Sequence, residues 1–75
     1  MIELTLSTLL NTMSTDFCML MSRENDIIKS TLIAFSLANE KYGPSNVRRV
    51  ISNSNHIKIK ALAVSSVISK CPNQL

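Results

Sequence analysis

The residues that could do chemistry here are few, and their spacing limits what that chemistry is. Cys18, Cys71 and the single histidine, His56, offer three possible soft metal ligands and the only candidate thiol–imidazole chemistry. A catalytic thiol needs an imidazole within hydrogen-bond reach, and no cysteine or carboxylate lies at a local spacing from His56 that marks a known site. Structural zinc needs four ligands, usually supplied by closely spaced Cys and His pairs. Two cysteines 53 positions apart and one histidine do not make that pattern. The five carboxylates are scattered, and Gly43 is the only glycine, so no glycine-rich phosphate cradle can form. The expectation is therefore a chain that is not an enzyme: no catalytic residues, no cofactor and no metal. Cys18 and Cys71 are expected as buried or half-buried free thiols. A disulfide between them, which would tie the first helix to the C-terminal end, is the alternative.

Two other groups of residues suit binding rather than catalysis. Met13, Phe17, Met19 and Met21 lie close together and include three of the four methionines. The run Phe17-Cys18-Met19-Leu20-Met21 is apolar for more than a helical turn, and methionine recurs on surfaces that adapt to a partner. These four residues are the candidate contacts for a partner helix, or for a second copy of the chain. The second group is Ser45, Asn46, Arg48 and Arg49, just after a Gly-Pro corner. Helix, glycine-containing turn and short helix have the outline of a helix-turn-helix. Asn46 suits adenine and the arginines suit guanine, with Lys58 and Lys60 available for phosphates. With only three aromatic residues, a single-strand stacking platform is not expected.

Helices must position these groups. Leu6, Leu9, Leu10, Met13, Phe17 and Leu20 recur at intervals of three and four, which predicts a helix from about Glu3 to Met21. Ser22 or Asn25 is the expected cap of a second helix carrying Ile28, Thr31 or Leu32, Phe35, Ala38 and Tyr42. That helix should end at Lys41-Tyr42-Gly43-Pro44, with Gly43 left-handed and Pro44 unable to continue it. Ser45 is the expected cap of a short third helix with Val47, Val50 and Ile51. After the Ser52–Asn55 turn cluster, a fourth helix from about His56 to Ser69 should bury Ile57, Ala61, Val64 and Ile68, and Pro72 should end it. The alternating stretch His56–Leu62 also reads as a strand, so two helices plus a C-terminal β-hairpin is the alternative fold.

Composition bounds the rest. At 75 residues the chain is one domain, with residues 72–75 expected to fray. Apolar residues make up 45% and charged residues 17%, against about 25% charged in a typical domain. A surface this large for its volume cannot hide all of that apolar surplus. Net charge is −2 over residues 1–37 and +5 over residues 38–75, so the C-terminal half suits an acidic partner, nucleic acid or, less directly, anionic lipid. No stretch approaches a membrane span, and no basic, apolar leader opens the chain. A cytoplasmic or nuclear site follows as the expectation. The Asn-, Ser- and Ile-rich character suits an AT-rich viral, phage or mobile-element gene.

The expected fold is all-α, an antiparallel helical hairpin closed by a shorter pair. Its core should comprise Leu6, Leu9, Leu10, Leu20, Ile28, Leu32, Phe35, Val47, Val50, Ile51, Ala61, Val64 and Ile68. The expected function is non-catalytic protein–protein interaction, as an adaptor, chaperone or inhibitor-like regulator with no small-molecule substrate. A small DNA-binding regulator is the alternative.

Overall fold

A computed structural model describes residues 4–74 and contains four helices: α1 (Leu6–Glu24), α2 (Ile27–Tyr42), α3 (Pro44–Ser52) and α4 (His56–Lys70). The described residues contain no strand, so the C-terminal segment is helix rather than hairpin. The expected start of the first helix at Glu3 lies outside the described residues. Thr5 caps α1, its Oγ1 accepting from the Thr8 amide at 3.2 Å.

The first two corners differ from expectation in where the helices end and which residue caps them. The first helix runs on through Ser22 to Glu24, and Ser22 Oγ donates to the Met19 carbonyl instead of capping α2. Asn25 is the left-handed residue that ends α1 (φ 52°, ψ 38°), a conformation asparagine tolerates better than most. Asp26 then caps α2, its carboxylate accepting from the Lys29 amide at 3.0 Å. A Lys29–Glu24 ion pair at 3.1 Å spans this corner. At the second corner Gly43 has positive φ, as expected, but ψ of 136° takes it out of the left-handed helical region. It ends α2 and begins α3 in one residue, with Pro44 in the first turn. Ser45 is thus already helical, and α3 has no side-chain cap. Asn55 caps α4 through a 2.7 Å bond from the Ile57 amide. Pro72–Gln74 forms a single 3₁₀ turn that touches α1. Leu75 of the expected tail lies outside the described residues.

Helix α1 is the spine. Both α2 and α4 pack along it, and direct contact between α2 and α4 is slight at most. One core cluster joins Leu9, Ala38, Val47 and Val50, flanked by Leu6, Met13, Tyr42 and Ile51. A second joins Phe17, Leu20, Met21 and Ala34, with Cys18, Ile33 and Val67 against it. Tyr42 Oη and Thr12 Oγ1 hydrogen-bond at 2.7 Å between α1 and α2.

The expected core is half right. Leu9, Leu10, Leu20, Val47 and Val50 are buried, with Leu6 and Ile51 half-buried. Ile28, Leu32, Phe35, Ala61, Val64 and Ile68 are exposed instead. On α2 the inward row is Ser30, Ala34 and Ala38, spaced by four. Facing helices pack well when large side chains oppose small ones. The α1 face already supplies leucine, phenylalanine and methionine, so small residues bring α2 close.

On α4 no residue is fully buried, and the half-buried row is Ile59, Ala63 and Val67. The cause is covalent. Cys18 and Cys71, expected as free thiols, form a disulfide with Cα atoms 5.8 Å apart. Cys71 follows Val67 by four residues and Ala63 by eight, so turning Cys71 toward α1 turns that row inward. The Ile57–Ala61–Val64–Ile68 row is rotated to the outside.

Candidate functional site: an apolar groove between α2 and α4

Because α2 and α4 each pack on α1 without closing on one another, a groove runs between them. Leu10, Met13, Ser14 and Phe17 form its floor, following one another along a single face of α1. Ile27, Thr31 and Ala34 form the α2 wall, and Ala63, Val64 and Val67 form the α4 wall. The enclosed space is about 230 Å³, below the roughly 300–1,000 Å³ of typical small-molecule sites. Its polar lining is limited to Ser14 and Thr31, and the Thr31 hydroxyl is spent on the Ile27 carbonyl at 2.7 Å. A small ligand would find little to orient it there.

Apolar rows extend the groove onto both lips. On α2, Ile28 (74% exposed), Leu32 and Phe35 follow the wall outward. On α4, Ile57 (79% exposed), Ala61, Val64 and Ile68 form the matching row, and Val64 belongs to both wall and row. These are the residues that periodicity assigns to the core. Their side chains form an apolar surface that the described residues leave uncovered.

The four expected partner contacts separate. Met13 and Phe17 lie in the groove floor. Met21 is 3% exposed and belongs to the core with Leu20 and Ala34, while Met19, 46% exposed, is absent from the groove lining. An apolar turn on all sides is explained by what surrounds α1: α2 and α4 cover two sides, and the Cys18–Cys71 bond occupies a third position. The groove walls Thr31, Ala34, Ala63, Val64 and Val67 were not anticipated as contacts. For Ala63 and Val67 on α4, the signal that would have found them is their register with Cys71, read as a disulfide constraint.

The basic groups are arranged as follows. Ser45, Asn46, Arg48 and Arg49 are all exposed on α3. The Asn46 amide is engaged at both ends, donating to the Tyr42 carbonyl at 2.8 Å and accepting from Arg49 at 3.4 Å. The corner before α3 is the single residue Gly43, whereas a helix-turn-helix uses a turn of about three to four residues. Lys58 and Lys60 are exposed on α4, and neither has a carboxylate partner among the described residues. His56 is exposed at the start of α4. Among the described residues, no three His, Cys, Asp or Glu side chains are placed to hold a metal ion, and no helix is long and apolar enough to cross a membrane.

Comparisons with protein-family models, with curated proteins and with solved structures find no match to this chain.

Proposed function

We propose that this chain is a non-catalytic protein–protein interaction module that receives the apolar face of a helix in the groove between α2 and α4. The supporting observation is the floor of Leu10, Met13 and Phe17, continued on both lips by exposed Ile28, Leu32, Val64 and Ile68. An amphipathic helix presents apolar anchors at intervals of three, four and seven residues, and a groove with apolar floor and lips suits that pattern. The methionine in the floor adds adaptability. Large exposed apolar rows are uncommon on a monomer unless something covers them.

A titration of isotope-labelled protein followed by NMR tests this reading against nucleic-acid binding. A leucine-faced amphipathic peptide should shift the amides of Met13, Thr31 and Val64, and Val64→Asp should abolish the effect while helix content is kept. A DNA duplex at low salt that shifts Ser45, Asn46, Arg48 and Arg49, with no response to the peptide, would replace this reading with the nucleic-acid one.

A further inference from the structure

Building on the groove as a helix-binding site, we infer that its occupant is an amphipathic helix whose apolar face is flanked by carboxylates. The α4 lip carries the argument. By helical position, its outward row of Ile57, Ala61, Val64 and Ile68 runs between Lys60 on the groove side and Lys58 on the far side. Lys60 itself lines the depression over this row. Helix α4 contains His56, Lys58, Lys60 and Lys70 and no acidic residue, and the chain has no carboxylate side chain after Glu40.

Among the described residues, neither Lys58 nor Lys60 meets a carboxylate. Lys58 also stands in the first turn of α4, where the helix dipole disfavours a cation and no acidic residue compensates it. A carboxylate brought alongside by a bound helix would relieve both effects. Asp16, an acidic side chain of α1, lines a separate depression with Asn11, Thr12 and Lys41, so it does not offset the field at this lip.

A second copy of the chain fits less well. Whichever way another α4 lay on this one, it would bring only cations to a row already bordered by cations, and like charges across an interface oppose association. Anionic lipid shares the charge but not the shape. A flat surface could meet the outward row of α4, yet it would leave the groove floor at Met13 and Phe17 unfilled.

The test uses the whole oxidised protein and two helical peptides with the same leucine face, one flanked by glutamates and one by lysines. Calorimetry at low salt should show the glutamate-flanked peptide binding at least about tenfold more tightly, a difference that shrinks several-fold in half-molar salt as surface charges are screened. Lys58→Glu with Lys60→Glu should reverse the preference. Both positions are exposed, so helix content by circular dichroism should be unchanged. Equal affinity for the two peptides would overturn the charge inference while leaving the groove intact as a helix site. Failure of both peptides to bind would overturn the inference and the groove reading together. Binding to vesicles containing anionic lipid, with neither peptide bound, would assign α4 to a membrane surface instead. A dimer by light scattering that Val64→Asp dissociates would assign the groove to a second copy.

Discussion

Met19 and Met21 stand two residues apart and look alike in the sequence, yet they occupy opposite environments. Met21 fills space beside Leu20 and Ala34, whereas Met19 is open to solvent. Met21→Ala should therefore lower unfolding free energy by about 2–5 kcal/mol, through lost burial and a residual cavity. Met19→Ala should change it by less than about 0.5 kcal/mol. Urea unfolding of the two variants checks this, and similar losses would mean that α1 is rotated from the orientation described. Ser30 is the other informative residue. It is fully buried on α2, and its hydroxyl has no hydrogen-bond partner. Removing an unpartnered buried hydroxyl relieves its desolvation cost, so Ser30→Ala should be neutral or stabilising in the same measurement. Ser30→Leu should cost about 1–3 kcal/mol, because the close approach of α2 to α1 leaves no room for it. A stabilising Leu substitution would show a looser contact between the helices.

At the scale of elements, the corners and α4 respond to different constraints. Gly43 joins α2 to α3 at φ 89° and ψ 136°, a combination strongly disfavoured for residues with a Cβ. The space around it is open: the nearest side-chain atom, on Asn46, would stand 3.8 Å from an added Cβ. Gly43→Ala should thus cost about 1–3 kcal/mol from backbone strain rather than from a clash. Thermal unfolding reads this directly, and no measurable cost would mean the corner relaxes. Helix α4 is held differently. It has no fully buried residue, and the Cys18–Cys71 bond closes a chain separation of 53 residues. A crosslink of that length stabilises a small fold by about 4 kcal/mol in the chain-entropy view. Reduction, or Cys71→Ser, should release α4 while the α1–α2–α3 cluster keeps its packing. Hydrogen exchange should then accelerate from Ile57 to Lys70 well before it does around Leu9 and Val47. Uniform acceleration would show that the four helices unfold as one unit.

The molecule as a whole is a three-sided arrangement with one side left open. A chain with 45% apolar residues has more hydrophobic surface than its two small core clusters absorb. Most of the remainder lies on α2 and α4 beside the groove, with Met19 and Leu62 exposed elsewhere. That distribution predicts a concentration-dependent solution mass at low salt only if copies cover each other's lips. The lysines of α4 oppose such pairing, so light scattering should give a monomer at micromolar concentration. A salt-induced dimer at high ionic strength would show that charge, not shape, keeps the copies apart.

Much of this architecture was legible in residue order alone. Apolar intervals of three and four placed α1 and α2, because that spacing is set by the 3.6-residue repeat, while the alternation of His56–Leu62 left a β-hairpin open for the C-terminal half. Gly43-Pro44 marked one corner, because the positive φ there suits glycine, and the turn-forming Ser52–Asn55 cluster marked another, with Asn55 capping α4. Which face of α2 and of α4 turns inward is another matter. Both helices offer two apolar rows, and periodicity favours the bulkier one. Only the packed structure decides between them: on α2 by the large α1 face that small Ser30, Ala34 and Ala38 complement, and on α4 by the bond from Cys71 to Cys18. Both decisions depend on contacts between residues distant in the chain. The same two rotations place Ile28, Leu32, Val64 and Ile68 outside, and so create the groove.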